Sequence, residues 1–170
     1  MFKPDLRYLK KPCHECVDFI GSRFGGPHWR RVGVSSWYLL DQERVNAYAK
    51  IIEDEQFIHI DPERTRAETP FDGTIAHGFL TMSLLSTMTY EVMPFMTGDE
   101  GMSINYGFNR LRFISPVPVG SRVRGRFSLL SLDQSKSDYS DLILTATVEI
   151  EGQSKPAIVA EWINRQYNNK

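Results

Sequence analysis

The feature that most constrains the fold is an apolar stretch near the middle of the chain, HGFLTMSLLSTMTYEVM at residues 77–93. Its large apolar residues cover nearly the whole circumference of a helix, and the positions between them hold mainly small hydroxyl side chains. A helix that is apolar on all sides is buried inside a domain. The sequence therefore predicts a central helix over residues 77–93, around which the rest of the domain folds.

The pattern after this helix is typical of β-structure. Four segments are rich in β-branched and aromatic residues or alternate between apolar and polar residues, and the links between them are short, which suits antiparallel neighbours. We predict strands at residues 102–117, 121–134, 142–152 and 156–167. One long buried helix beside such strands predicts an α+β fold, in which an antiparallel β-sheet wraps around a long central α-helix.

Shorter elements precede the central helix. Asp41 and Asp61 are typical N-cap residues, and Pro62 suits the first turn of a helix. The predicted elements are a strand at 31–40, a helix at 41–52, an irregular segment at 53–60, a short helix at 61–68 and a turn at 69–74. Residues 1–31 are irregular in pattern, so we predict an N-terminal extension at 1–31 and one domain at 32–170.

Composition excludes several classes of protein. The 170 residues include 20 basic and 21 acidic side chains, so the net charge of −1 gives no reason to expect nucleic acid as a partner. No apolar stretch is long enough for a membrane span and the N-terminus lacks a secretory signal, so we expect a cytoplasmic protein. Cys13 and Cys16 flank His14, but a second CxxC is missing, and we expect two reduced thiols and no metal site.

Asp54 and His59 bracket the irregular segment between two predicted helices. An ionised aspartate and a neutral histidine can together orient and deprotonate a water molecule. A loop held between fixed elements is a common place for such groups. The same pattern also fits a structural role, in which Asp54 caps or solvates a helix end and His59 packs in a half-buried position.

His77 and Gly78 stand where the central helix is predicted to begin. The first backbone N–H groups of a helix have no partner within it and carry the positive end of the helix dipole, which suits a developing oxyanion. Glycine also lets a ligand approach the backbone closely. The alternative is a glycine that fits a tight entry into the helix, with His77 bonded to nearby backbone.

The whole block at residues 54–86, DEQFIHIDPERTRAETPFDGTIAHGFLTMSLLS, resembles the MaoC-like hydratase/dehydratase family, and its NodN-like branch in particular. The resemblance lies in Asp54, His59 five residues later, the DPE at 61–63, and the HG at 77–78 before an apolar helix. Residues 108–125 are also similar to a strand–turn–strand stretch of that family. The resemblance extends over roughly residues 32–167.

This resemblance implies a hotdog fold and an enzyme that hydrates trans-2-enoyl thioesters to (R)-3-hydroxyacyl thioesters, or runs the reverse dehydration. It implies that Asp54 and His59 are the catalytic pair and that the N–H of Gly78 forms the oxyanion hole. His77 would then shape the entry to the site. Ser86 matches a serine near the catalytic pocket of some members, although a helix serine often bonds back to its own turn.

The family usually carries glycine before the catalytic aspartate and Asn-Pro two residues after it, where this chain has Glu53, Gln56 and Phe57. We expect Glu53 to alter the geometry of the loop. Two other readings stay open for this reason: a hotdog thioesterase, and an acyl-CoA-binding subunit whose site has decayed.

The expected substrate is an acyl-CoA thioester, with coenzyme A entering as part of the substrate and no other cofactor. Four arginines on strands predicted to be adjacent could meet its phosphates, or could simply form a solvated face: Arg110, Arg112, Arg122 and Arg124. A small sheet around one helix leaves edge strands that need cover. We therefore expect a homodimer or a higher homo-oligomer, as is general for hotdog domains.

Overall fold

The computed structural model describes residues 31–93 and 102–167. Within these ranges the chain forms six strands and four helices. In chain order they are β1 (Arg31–Val34), β2 (Tyr38–Leu39), α1 (Gln42–Ile52), α2 (Phe57–Ile60), α3 (Pro62–Glu68), α4 (Gly78–Val92), β3 (Met102–Phe113), β4 (Arg122–Asp133), β5 (Tyr139–Ile150) and β6 (Ile158–Tyr167).

The described strands form one antiparallel sheet in the order β1-β4-β5-β6-β3, with β2 also paired to β4. The strand β3 therefore forms one edge of the sheet, although it precedes β4 in the chain. The long helix α4 lies on the inner face of this sheet. The predicted α+β architecture, with a sheet around a central helix, is confirmed.

The core lies between α4 and the inner face of the sheet. Along β5 and β6 every second residue is buried, as the two-residue period of a strand requires. Gly125 on β4 allows α4 to approach closely, because a Cβ atom there would lie 2.5 Å from the Phe127 ring and 3.1 Å from Met88 Cβ. The largest fully buried side chains include Trp162, Phe127, Leu40, Leu85, Met88 and Leu144.

The helices begin where the sequence predicts, for the expected reasons. Asp41 caps α1 by accepting a hydrogen bond from the N–H of Arg44 at 2.9 Å, and Asp61 caps α3 in the same way with Arg64. Pro62 occupies the first turn of α3, where its missing N–H costs nothing. Asp61 also ends the one-turn helix before it, so it fixes one end of the segment that carries Asp54 and His59.

Two predicted strands and the irregular segment differ from the structure. The strand predicted at 31–40 is interrupted because the N–H of Ser35 donates to the carbonyl of Gly125, and its Oγ accepts from the Gly125 N–H. The strand predicted at 102–117 ends at Phe113, shortly before Pro116 and Pro118, which cannot donate to a ladder. The segment at 53–60, predicted to be irregular, ends in the one-turn helix α2.

The helix α4 is not buried on all sides, in contrast to the prediction. Phe79 is 59 % exposed and Tyr90 is 39 % exposed, and Ser83 and Thr87 are exposed between them. These four residues form an exposed stripe at helical spacing, on which Phe113 contacts one end, at Phe79. One side of α4 therefore packs on the sheet, whereas the side that carries Phe79 and Tyr90 is largely open in the described part of the chain.

The predicted CxxC and most of the predicted extension lie outside the described residues. Cys13, His14 and Cys16 are among them, so the prediction of reduced thiols stays a prediction, as does the domain boundary at residue 32. In the described ranges no helix is both long enough and apolar enough to cross a membrane. A cytoplasmic location also stays a prediction.

Candidate functional site

The loop after α1 presents Asp54 to solvent. The helix ends at Glu53, whose backbone is left-handed (φ 60°, ψ 26°). This conformation favours glycine, which is the residue that the family usually has here, and it costs other residues on the order of 1 kcal/mol. The N–H of Asp54 donates to the carbonyl of Ala49 at 3.1 Å, and its side chain is 51 % exposed. The substitution by Glu53 therefore leaves a tight helix end with Asp54 directly after it.

His59 lies on α2 and is buried. Its Nδ1 is 2.6 Å from the carbonyl oxygen of Ile75. Since a carbonyl oxygen only accepts, Nδ1 must carry the proton, and Nε2 of the neutral ring keeps a free lone pair. Burial lowers the pKa of His59 below its usual value of 6.5, and the neighbouring His77 lowers it further, although the bond to Ile75 and the charge of Asp54 act in the opposite direction. The ring is therefore held as a neutral base.

His77 is the N-cap residue of α4 and is buried, with 3 % of its surface exposed. Its Nε2 is 2.9 Å from the backbone carbonyl of Asp54 and 3.9 Å from the carboxylate Oδ2 of the same residue. Its ring stacks on the ring of His59, with centroids 3.7 Å apart and planes inclined by 26°. His77 thus connects the loop of Asp54, the ring of His59 and the start of α4.

Gly78 is the first residue of α4, as predicted, and no side chain caps this helix end. Gly78 and His59 line the same cavity, whose volume is about 400 Å³. A Cβ atom on Gly78 would lie 3.0 Å from two ring carbons of Phe113, so a larger residue would press on the wall of the cavity. The other lining residues include Ile75, Ala76, Phe79, Thr81, Val117 and Ile158.

The carboxylate of Asp54 and the ring nitrogens of His59 and His77 all lie within 4.8 Å of one another. One water molecule can bridge two groups at that separation with two hydrogen bonds of ordinary length. A metal ion fits less well, because imidazole lone pairs lie in the ring planes, and the planes of these two stacked rings are inclined by only 26°, so they do not meet within the length of a metal–nitrogen bond. The arrangement suits the activation of water beside a donor-rich helix end.

The structure places the other predicted site residues apart from this cluster. Ser86 lies two turns further along α4, where its Oγ accepts a hydrogen bond from Asn105 Nδ2 of β3 at 3.2 Å. Arg110 and Arg112 are exposed on β3, the strand that ends at the cavity residue Phe113. Neither has an acidic partner among the ion pairs of the described residues.

The expectation that the four arginines lie on adjacent strands is wrong. The strands β3 and β4 follow one another in the chain, but β5 and β6 lie between them, so they are about 14 Å apart at the usual strand spacing. Arg122 pairs with Glu151 at 2.6 Å, and Arg124 pairs with Glu149 at 2.7 Å. Those charges are already neutralised by their neighbours on β5 and beyond.

Sequence reasoning missed Gln42 and Phe113. Gln42 on α1 donates to the carbonyl of His59 at 2.7 Å and accepts from the hydroxyl of Thr74 at 2.6 Å, so it joins α2 to the segment before His77. Phe113 lies 35 residues after Gly78 in the numbering and packs against the edge of Phe79. No local pattern marks either residue, since both contacts depend on how distant segments are brought together.

The sequence matches a known protein family over most of its length. The model of the MaoC-like domain family matches residues 23–150. This chain belongs to the MaoC-like domain family. Nodulation protein N of Rhizobium meliloti is 48 % identical over 142 residues, covering 83 % of this chain and 88 % of that protein. The predicted family, including its NodN-like branch, is thus confirmed.

Two further proteins are similar to this MaoC-like chain. The 3-hydroxyacyl-thioester dehydratase Z of Mycobacterium tuberculosis is 44 % identical over 135 residues, covering 79 % of this chain and 87 % of that protein. The solved structure of an (R)-hydratase from A. caviae superposes with a TM-score of 0.62 at 27 % identity, covering 78 % of this chain and 95 % of the other. The hotdog fold is therefore confirmed.

Proposed function

We propose that this MaoC-like protein is a hydratase/dehydratase that adds water to a trans-2-enoyl-CoA to give an (R)-3-hydroxyacyl-CoA, or runs the reverse reaction. One observation carries the proposal. His59 and the uncapped start of α4 at Gly78 line one cavity, and the carboxylate of Asp54 lies within 4.8 Å of a ring nitrogen of His59. Similarity to a hydroxyacyl-thioester dehydratase and to an (R)-hydratase supports the same reaction.

Each group has a defined part in the proposed reaction. The N–H of Gly78 donates to the thioester oxygen, and the helix dipole stabilises the negative charge that develops there. Asp54 and His59 hold one water molecule, whose oxygen attacks C3 while His59 accepts its proton. The proton is then delivered from this pair to C2, so that the hydroxyl and the hydrogen of one water are both added. Only water and protons move, and we propose no cofactor beyond the coenzyme A of the substrate.

His77 has a positioning part in this proposal. It donates one hydrogen bond to the backbone of Asp54 and supports the ring of His59 by stacking. The two catalytic groups are thereby held at the separation that one water can bridge. The Asp54 side chain is open to solvent, so the hydrogen bond from His77 to the Asp54 backbone helps to fix the position of the carboxylate.

We also propose that the active protein is a homodimer formed along β3. This strand has twelve residues and pairs with β6 on one side only, so its other edge can hydrogen-bond to a second copy. The exposed apolar side chains on and beside it match such an interface: Phe79, Met102, Ile104, Tyr106, Phe113 and Ile114.

The reaction is tested with a panel of trans-2-enoyl-CoAs, from crotonyl-CoA upwards, by following the loss of conjugated-enoyl absorbance. Thiol release is measured in the same cuvette. Loss of absorbance without thiol release is the expected result. Thiol release without hydration would instead identify a hotdog thioesterase, and binding without either reaction would identify a decayed acyl-CoA-binding subunit.

The assembly is tested by sedimentation at micromolar concentration, where a species of twice 19.6 kDa or more is expected. Ile104→Lys places a charge on the proposed interface and should produce monomers. Leu130→Lys, at an exposed leucine on β4, is the matched control and should leave the mass unchanged. A wild-type monomer would contradict the proposed dimer.

A further inference from the structure

The inner face of the sheet carries an unusual group of polar atoms at the end of β6. Trp162 Nε1, Asn164 Nδ2, Gln166 Oε1 and Ser103 Oγ are all buried and have no hydrogen-bond partner within the described chain. Buried polar atoms normally have partners, so a cluster of unpartnered ones indicates a missing ligand or water. Trp162 is only 2 % exposed and Asn164 only 3 %.

The strand register places these atoms together. Trp162, Asn164 and Gln166 alternate along β6 and therefore share its inner face. Ser103 lies opposite Gln166 on β3, and Asn105 lies opposite Asn164. Asn105 in turn bonds to Ser86 on α4, so the group extends from the sheet to the helix. We name the inner polar cluster by its six residues: Ser86, Ser103, Asn105, Trp162, Asn164 and Gln166.

The inner polar cluster lies within reach of the cavity. Ser86 is eight residues beyond Gly78, which is about 12 Å along the helix axis. Phe79 and Ser83 are exposed on the helix surface between these two points, where the ring of Phe113 packs against one side of Phe79. An extended chain advances roughly 1.2 Å per bond, so an acyl chain of about ten carbons that starts at Gly78 has the length needed to reach the level of Ser86, the helix residue of the cluster.

The chemistry of the free atoms favours a hydroxyl group. The unpartnered nitrogens of Trp162 and Asn164 can only donate, and the unpartnered oxygen of Gln166 can only accept. A ligand that meets these atoms must therefore both accept and donate hydrogen bonds. A carboxylate fits less well, because the nearest cation in the sequence of β6, Arg165, points to the other face of the strand and pairs with Asp141 at 2.7 Å. Burying an anion without a cation would be costly.

We propose, on the basis of the function proposed above, that this site prefers acyl thioesters whose chain carries a neutral hydroxyl about ten carbons from the thioester. Trp162 and Asn164 donate to the oxygen of that hydroxyl, and Gln166 Oε1 accepts a hydrogen bond from its O–H. The inner polar cluster is then a specificity-determining subsite that selects an oxygenated acyl chain over a plain alkyl chain of equal length.

The test compares trans-2-decenoyl-CoA with its ω-hydroxylated analogue. The wild-type protein should show a kcat/KM for the hydroxylated substrate at least about fivefold higher, the effect of roughly one buried hydrogen bond. Trp162→Phe keeps most of the ring and removes only the N–H donor, and Asn164→Leu removes the amide at similar size. Each variant should reverse or abolish the preference.

The ratio of the two kcat/KM values does not depend on the fraction of protein that is folded, so a destabilised variant remains informative. Asn109→Leu, at an exposed asparagine on β3, is the matched control and should keep the wild-type ratio. Turnover of crotonyl-CoA, which is too short to reach the cluster, tests the proposed function separately. Hydration of crotonyl-CoA by a protein without any preference for the hydroxylated chain would overturn this inference and leave the proposed function intact.

Discussion

Two regions of this protein hold polar groups that the sequence predicts to be functional. The fold brings the groups of one region together and separates those of the other. At the junction of the Asp54 loop, α2 and the start of α4, a carboxylate oxygen and one ring nitrogen from each of two histidines lie within 4.8 Å of one another, beside the cavity that His59 and Gly78 line. The arginines of β3 and β4 are instead separated by two strands. On β4, Arg124 and Arg126 both bind one carboxylate of the neighbouring strand β5, that of Glu149, at 2.7 Å each.

The two regions differ in which groups keep a hydrogen-bond donor or acceptor without a partner. At the junction, His59 Nε2 and the first N–H groups of α4 remain available for a substrate, because each ring is held through its other nitrogen or by stacking. On β4 the charges satisfy one another, and hydrogen bonds from Arg126 and Arg124 hold the pKa of Glu149 below its usual value against the effect of burial. Proximity thus creates a reactive site only where the geometry leaves atoms unpaired.

The strongest test of the comparison removes the reactive groups of the junction. Asp54→Asn and His59→Ala should each lower hydration by roughly 10²–10⁴-fold, the range for a positioned acid–base group. Glu55→Gln, at a neighbouring exposed carboxylate, is the matched control and should keep wild-type turnover. Initial rates on the best enoyl-CoA provide the measurement, and near-normal rates for both site variants would show that this pair is not catalytic.

The next largest effect is expected at the start of α4. Gly78→Val should lower kcat by roughly 10²–10³-fold, comparable to the loss of an oxyanion donor, because the side chain blocks the approach of the substrate to the backbone N–H. Gly78→Ala keeps the N–H but still presses on Phe113. The double variant Gly78→Ala with Phe113→Ala relieves this contact and should recover part of the activity. No recovery would place the defect in the helix start itself.

A smaller effect is expected at His77. His77→Phe keeps a ring to stack on His59 but cannot donate to Asp54, and should lower kcat about tenfold with little change in KM, since one hydrogen bond contributes about 1 kcal/mol. His77→Gln keeps a donor and should be the more active variant. Steady-state kinetics of the two variants provide the comparison. Equal kcat values would mean that the bond to Asp54 has no positioning role.

The arginines should show only small effects, and should differ between strands. Arg110→Gln with Arg112→Gln should raise KM for an enoyl-CoA a few-fold at low salt, because exposed cations attract the phosphates of coenzyme A. The corresponding enoyl-pantetheine lacks the nucleotide and should show no change. Arg124→Gln removes a charge that Glu149 already neutralises, so its KM should match the wild type. A larger rise in KM for the Arg124 variant of β4 than for the Arg110 and Arg112 variant of β3 would contradict this prediction.

The pH at which kcat/KM falls to half should lie modestly below the usual pKa of a histidine. Neutral His59 accepts the proton of water, so activity is lost as pH falls through its pKa. Because burial lowers the pKa of His59, the acid limb of kcat/KM should have its midpoint below 6.5. Asp54 and His77 are the titratable groups that face this ring. A midpoint above 6.5 would mean that the ring is stabilised in its charged form.

The sequence by itself determined the elements and the local parts of the site. Asp41, Asp61 and Pro62 mark helix starts through bonds within a few residues, and Gly78 begins the apolar helix where its spacing indicates. Alternation predicted the four long strands to within a few residues at most ends. The Asp54–His59 and His77–Gly78 motifs identified the family because they lie within one short stretch of chain.

Only the tertiary structure decided which distant groups meet. The order of the strands places β3 beside β6 and away from β4, and hydrogen bonds between strands leave no trace in local spacing. The stacking of His59 on His77, the wall formed by Phe113 and the inner polar cluster all depend on this order. The physical reason is that propensity and periodicity act over a few residues, whereas burial and unpaired hydrogen-bonding atoms are properties of the packed molecule.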